Sequence, residues 1–139
     1  MTEHYLEPTQ ESGAAFFSQG ISGPVVMLNL MRFREIADYS AAPELAPETP
    51  ISGREAYQKY MAHTAPFLEA GGGEVIFLAD GGKFLIGPQT EQWDLAMLVR
   101  QSSPDSFMAF AQNKDYLAGI GHRTAAIIDS RLLPLIEST

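Results

Sequence analysis

The stretch that decides the fold is Val25-Val26-Met27-Leu28-Asn29-Leu30-Met31-Arg32-Phe33. Its apolar residues do not alternate with polar ones, and the run is far too short to cross a bilayer. This pattern predicts a β-strand that is apolar on both faces, as expected of a strand that is covered on each side. Asn29 is the one short polar residue in its middle.

A long amphipathic helix follows after a loop. Residues 34–51 contain Pro43, Pro47 and Pro50, which oppose regular structure and predict the loop. Ser52-Gly53-Arg54-Glu55 matches a capping box, which starts the helix, and Gly71-Gly72-Gly73 ends it. A three- and four-residue rhythm predicts one helix face, made of Tyr57, Tyr60, Met61, Thr64 and Leu68.

Two strands, a second helix and a last strand complete the pattern. The second strand covers residues 74–79, Asp80-Gly81-Gly82 is a turn signal, and residues 83–86 form a continuation or a short extra strand. The third strand covers residues 92–100. The second helix starts at Ser102 or Ser103 with Pro104 at its first position, and the last strand runs through residues 122–133.

The order strand, helix, strand, strand, helix, strand predicts an α+β fold of the ferredoxin-like β-α-β-β-α-β type. Such a fold has a four-stranded antiparallel sheet with both helices on one face. We expect one such domain at residues 24–139, preceded by an N-terminal extension, residues 1–23, with a short helix capped by Thr9. Because the strands are apolar on both faces, the uncovered face predicts a homodimer.

Composition narrows the classes of partner. The 139 residues include 17 acidic and 9 basic ones, for a net charge of −8. This balance disfavours nucleic acid and anionic membranes, which need clustered Lys and Arg. Without cysteine there is no disulfide, thiolate metal site or thiol nucleophile. No signal peptide is visible at residues 1–5, so we expect a cytoplasmic protein.

Three residues are candidates for catalysis: Asn29, His63 and Asp94. The Asn29 amide either contacts a ligand or pairs with a neighbouring strand or a buried water. His63 lies near Tyr60 and could act as a general base, although an ordinary surface or core-edge histidine is the commoner case. Asp94 is expected to form an ion pair with Arg32 or Arg123, in a structural or a catalytic role.

Ligand-binding candidates are Arg32, Tyr60, Trp93, His122 and Arg123. An arginine could anchor a carboxylate or an enolate, and the Tyr60 hydroxyl could donate to a substrate oxygen. Trp93 points to the side of its strand opposite Asp94. His122 and Arg123 open the predicted last strand and could frame a pocket entrance. The three histidines are not spaced as a ligand set, so we expect no metal and no cofactor.

Several motifs in order resemble a known family over residues 24–133. They are residues 26–33, the helix with Tyr57 and Tyr60 that ends in Gly71-Gly72-Gly73, Trp93-Asp94, Ser103-Pro104-Asp105-Ser106-Phe107, Asp115-Tyr116 and Arg123-Thr124-Ala125-Ala126. Together they resemble the uncharacterised domain-of-unknown-function family 1330 of the dimeric α/β-barrel superfamily. The longer loop at 34–51 and the N-terminal extension depart from that pattern.

The resemblance implies a homodimer with an internal cavity, which better-known relatives use for cofactor-free oxygenation, isomerisation or haem chemistry. It assigns no catalytic residue. We therefore expect a protein that binds a small organic molecule in a cavity beside the sheet. It could be a cofactor-independent oxygenase or isomerase, or a non-catalytic ligand-binding or dimerisation module.

Overall fold

The computed structural model describes residues 3–138, so Met1 and Thr2 of the predicted extension and Thr139 lie outside the description. Five helices and four strands follow one another in this part of the chain. In order they are α1 (Gln10–Phe17), β1 (Val25–Phe33), α2 (Gly53–Ala70), β2 (Glu74–Lys83), β3 (Gln92–Gln101), α3 (Pro104–Ala111), α4 (Lys114–Leu117), α5 (Ile120–Ala126) and β4 (Ile127–Leu135). None of these helices is long and apolar enough to cross a membrane.

The four strands form one antiparallel sheet in the order β2-β3-β1-β4. This order confirms the predicted ferredoxin-like α+β fold. Met27 lies opposite Val99, and Met31 lies opposite Leu95. These four side chains are buried and join the core with residues of α2, so the helices cover this face of the sheet.

The predicted caps are present at both main helices. The Ser52 hydroxyl accepts from the Glu55 amide, and the Glu55 carboxylate accepts from the Ser52 amide. Ser103 caps α3, with Pro104 at the first helical position. The loop at 34–51 contains one turn of 3₁₀ helix, Pro43–Leu45, and no other regular element.

The opposite face of the sheet is open and apolar at its centre. One row of side chains crosses all four strands through Phe77, Leu98, Leu28 and Leu133. Phe77 and Leu133 are 57% and 54% exposed. No helix of the described residues covers this row, which we call the open face.

The prediction that His122 and Arg123 open the last strand is wrong. Both lie in α5, and β4 begins only at Ile127. The small residues Ala125 and Ala126 are buried where α5 meets α2 and the loop after β1, and the Ala126 carbonyl accepts from the Arg34 amide at 2.8 Å. This tertiary contact favours a helix where the local pattern favours a strand.

The predicted turn at Asp80-Gly81-Gly82 is also wrong, because β2 continues through it to Lys83. Gly81 is explained by a close contact between strands and not by a turn. A Cβ atom at this position would lie 2.4 Å from the Trp93 carbonyl oxygen. Only glycine allows β2 and β3 to approach this closely.

The N-terminal segment, residues 3–6, lies along the edge of β4. The Tyr5 amide donates to the Asp129 carboxylate at 2.8 Å, and the Ser130 amide donates to the Tyr5 carbonyl at 2.9 Å. The Arg123 guanidinium donates to the Leu6 carbonyl at 2.6 Å. These contacts fix residues 5 and 6 against the sheet.

Candidate functional site

A groove of about 610 Å³ lies between α2 and the neighbouring strands β2 and β3. We call it the helix–sheet groove. Its apolar lining includes Phe33, Tyr57, Met61, Leu78 and Leu95. Leu78 faces the same side of the sheet as buried Met97, yet remains 49% exposed because no helix covers β2. The groove is therefore an unfilled part of the helix–sheet interface.

Arg54 is the only cation among the described residues that line this groove. Its guanidinium carbon lies 5.0 Å from the centre of the Phe33 ring, a cation–π arrangement. Its Nη1 donates to the Asp80 carboxylate at 2.9 Å, and its Nη2 donates to the Asp94 carbonyl at 3.3 Å. These three contacts hold a positive charge against an apolar wall.

A second cavity of about 690 Å³, which we call the edge cleft, lies between the N-terminal part of the chain and β4. Its lining is mostly apolar and includes Phe16, Met27, Phe107 and Leu132. Among the described residues its single cation is Arg131, which is already paired, because its Nη1 lies 2.7 Å from the Asp129 carboxylate. The Arg131 guanidinium also stacks on the Tyr5 and Trp93 rings, at 4.8 and 4.9 Å.

The surroundings of Asp129 favour its ionised form. Burial opposes its charge, but hydrogen bonds from the Tyr5 amide and Arg131, and the positive charge of Arg131, outweigh this effect. The net result is a lowered pKa of the Asp129 carboxyl. The polar end of the edge cleft is therefore satisfied from within the chain.

Three of the candidate residues lie in the helix layer, outside the lining of both cavities, and each has its own hydrogen-bond partner. The His63 Nε2 donates to the Asp115 carbonyl at 2.8 Å, which ties α2 to α4. The Tyr60 and Tyr116 hydroxyls share a buried hydrogen bond of 2.8 Å. The His122 Nδ1 and the Tyr39 hydroxyl are 2.7 Å apart.

The predicted ion pair of Asp94 with Arg32 or Arg123 does not form. The Asp94 carboxylate instead accepts from the Phe33 amide at 2.8 Å, where the pairing of β1 and β3 ends. Within residues 3–138 the ion pairs are Arg54–Asp80 and Arg131–Asp129. Arg32 lies on the open face, in register with Asp129.

The two remaining candidates lie in the sheet. The Asn29 amide group donates to the Met27 carbonyl of its own strand at 3.1 Å. Trp93 is buried, and its indole N–H has no hydrogen-bond partner within residues 3–138. Asp94 borders the helix–sheet groove through its carbonyl contact with Arg54, but none of the eight candidate residues is among the residues that line the groove.

Sequence reasoning missed Arg54 and Asp80. Arg54 was recognised only as part of the capping box, and Asp80 only as a turn residue. One signal was available for Arg54, because it precedes Tyr57 by three residues and so lies on the same helix face. Asp80 gave no such signal, since its place opposite Arg54 depends on β2 running through the two glycines.

The fold and the groove define a class: a ferredoxin-like α+β protein with an arginine-bearing groove between its main helix and its sheet. Two crystal structures are similar over nearly the full chain. The methylated RPA0582 protein is 33% identical, with 98% of this chain and 96% of that chain covered and a TM-score of 0.87. The RPA0582 protein of unknown function from Rhodopseudomonas palustris is also 33% identical, with 99% of each chain covered and a TM-score of 0.86.

The chain belongs to the family of this RPA0582 protein, whose function is unknown. A dimeric ferredoxin-like protein of unknown function from Thermobifida fusca YX is more distant. It is 13% identical, with 84% of this chain and 92% of that chain covered and a TM-score of 0.48, so it adds nothing on assembly or function. No protein-family model matches the chain, and no curated protein matches it either.

Proposed function

We propose that the protein binds a small organic molecule in the helix–sheet groove. The observation that supports this proposal is the groove itself: about 610 Å³ of space beside the core, with an apolar lining and one cation. Small-molecule sites have this composition, in which apolar walls give affinity and a few polar groups fix orientation. The edge cleft is larger, but the cation that the described residues place there, Arg131, is paired with a buried carboxylate, Asp129, whereas the partner of Arg54, Asp80, has a side chain that is 77% exposed.

Binding without turnover is the form of this function that the geometry favours. An oxygenase or isomerase needs a proton-transfer group within reach of the bound molecule. The lining of the groove contains no histidine, and burial raises the pKa of Tyr57, so its hydroxyl keeps its proton at neutral pH. Its one carboxylate, Asp80, lies on the edge strand β2, with 77% of its side chain exposed to water.

Filling the groove tests the proposal. Leu78→Trp places an indole in the groove, whereas Phe77→Trp makes the same kind of change on the other face of the same strand. The measurement is thermal stabilisation by three small aromatic probes: benzoate, benzyl alcohol and indole. A ligand at a hundred times its dissociation constant stabilises the folded state by about 2.7 kcal/mol.

We expect at least one probe to stabilise the wild type and Phe77→Trp to the same extent, and to lose its effect on Leu78→Trp. If no probe stabilises the wild type, or if Leu78→Trp responds like the wild type, the groove is not the binding site. Compounds that co-purify with the native protein, identified by mass spectrometry, provide an independent measurement.

We also propose that the open face is covered by a second copy of the chain. Its support is the apolar row from Phe77 to Leu133, since large exposed apolar patches mark interaction sites. Membership of domain-of-unknown-function family 1330 is a proposal that rests on the order of the motifs alone. Cytoplasmic residence is likewise a proposal that rests on the sequence alone.

A further inference from the structure

We propose that the helix–sheet groove selects a molecule that carries a carboxylate, with Arg54 as its anchor and Asp80 as the internal carboxylate that the ligand displaces. This inference rests on the proposed function, because it names the class of ligand for the same groove. Three observations carry it: the pose of Arg54, the exposure of Asp80 and the lining of the groove.

The pose of Arg54 is set before any ligand binds. The Phe33 ring supports one side of the guanidinium, and the Asp94 carbonyl accepts from Nη2. Neither contact depends on Asp80, so the guanidinium keeps its position when the Asp80 carboxylate leaves. A planar guanidinium held in this way presents its remaining N–H groups to a carboxylate.

Asp80 is a weakly held partner. Its side chain is 77% exposed, and the bond to Arg54 is the only hydrogen bond that its carboxylate makes in the described residues. An ion pair at such an exposed position contributes little stability, since water and salt compete for both charges. A ligand carboxylate can replace it with an equivalent contact, and the released Asp80 is solvated at the edge strand.

The rest of the lining indicates what the carboxylate is attached to. Apart from Arg54 and Asp80, Gln58 is the only polar side chain among the lining residues, and the others are apolar or aromatic. Such walls favour a ligand that buries apolar surface against them, whereas a sugar or a polyphosphate would find few hydrogen-bond partners there. The class is therefore a compact aromatic or aliphatic acid.

Paired probes test this inference on the full chain. Benzoate and benzyl alcohol share the ring and differ in charge, and their dissociation constants are measured by calorimetry for the wild type, Asp80→Asn and Arg54→Gln. Glu48→Gln is the matched control, because it removes one exposed negative charge from outside the groove lining.

We expect the wild type to bind benzoate more tightly than benzyl alcohol. Asp80→Asn should tighten benzoate binding about twofold to fivefold, because the weakly competing carboxylate is gone. Arg54→Gln should weaken it by roughly tenfold to a hundredfold, the usual cost of losing a charged hydrogen-bond partner. Glu48→Gln should leave both dissociation constants unchanged.

The outcomes separate this inference from the proposed function. If benzyl alcohol binds as tightly as benzoate and both are lost in Leu78→Trp, the groove binds ligands but the carboxylate inference is overturned. Equal benzoate affinities in the wild type, Asp80→Asn and Arg54→Gln overturn it as well. If neither probe binds, and indole also fails to stabilise the wild type, both proposals fall together.

Discussion

At the scale of single residues, the buried hydrogen bond between the Tyr60 and Tyr116 hydroxyls is a contact of the helix layer in which each group depends on the other. Both side chains are buried, their oxygens are 2.8 Å apart, and the pair links α2 to α4. Burial and the neighbouring Tyr60 raise the pKa of Tyr116, and together they outweigh the positive charge of Arg123, which lowers it. The Tyr116 hydroxyl therefore keeps its proton at physiological pH.

We predict that Tyr60→Phe lowers the free energy of unfolding by about 1–2 kcal/mol, because it leaves the Tyr116 hydroxyl buried without a partner. Tyr116→Phe should cost a similar amount for the same reason. The double variant should cost less than the sum of the two, since it leaves no unpaired hydroxyl. Urea unfolding of all four proteins measures this coupling, and strict additivity would contradict the pairing.

The residue scale is also where sequence reasoning reached its limit. The rhythm of the main helix predicted that Tyr60 faces inward, and it does. The partner of its hydroxyl is 56 residues away, in a four-residue helix whose packing no local pattern encodes. The sequence allows His63 to act as a base, yet its Nε2 donates to a carbonyl 52 residues away. Long-range partners of this kind follow only from the folded chain.

At the scale of elements, predictions held wherever a local signal fixed an end. The cap at Ser52, the cap at Ser103 and the boundaries of β1 agree with the structure. Predictions failed where a tertiary contact determines the local structure. Gly81 is one such place, because the close approach of β3 requires a glycine inside β2. The same holds for α5, whose buried alanines pack against α2 and the loop after β1.

One element-scale prediction concerns the hold of the N-terminal segment on β4. The Asp129 carboxylate accepts from the Tyr5 amide and from Arg131, and its pKa is lowered in the folded state. A lowered carboxyl pKa contributes stability that is present above the unfolded value, about 4, and is lost as the pH falls through the folded value. Acid should therefore weaken this contact.

We predict that Asp129→Asn lowers the free energy of unfolding by about 2–3 kcal/mol at pH 7, because charged hydrogen bonds are lost. This difference from the wild type should shrink as the pH falls below about 4. Limited proteolysis near residues 3–9 should show earlier cleavage in the variant at pH 7. Asp105→Asn, in the first turn of α3, is the control and should be cleaved like the wild type.

At the scale of the whole molecule, the open face is the feature that a single copy leaves unexplained. Four strands of nine or ten residues form it. At strand spacings of about 4.8 Å and a rise of about 3.3 Å per residue, its flat area is on the order of 600 Å². Stable interfaces bury about 800 Å² of accessible surface on each partner. Side chains that project from the sheet add to its flat area, so the accessible area of the open face approaches this value.

The row through Phe77, Leu98, Leu28 and Leu133 suits a two-fold interface, because the same patch can serve both copies. Charged pairs border it in register: Glu74 with Arg100 on one side, and Arg32 with Asp129 on the other. An apolar centre with a charged border is the usual anatomy of a protein–protein interface. A second copy therefore accounts for the apolar second face that the sequence of β1 already shows.

We predict a homodimer at micromolar concentration, measured by light scattering, that Phe77→Lys disrupts. Placing a charge in the apolar row of the interface should raise the dimer dissociation constant by at least about thirtyfold, the equivalent of about 2 kcal/mol. Ile36→Lys is the matched control, because Ile36 is 58% exposed, like Phe77 at 57%, but lies in the loop after β1. A monomeric wild type, or equal effects of the two variants, would show that the open face is not the interface.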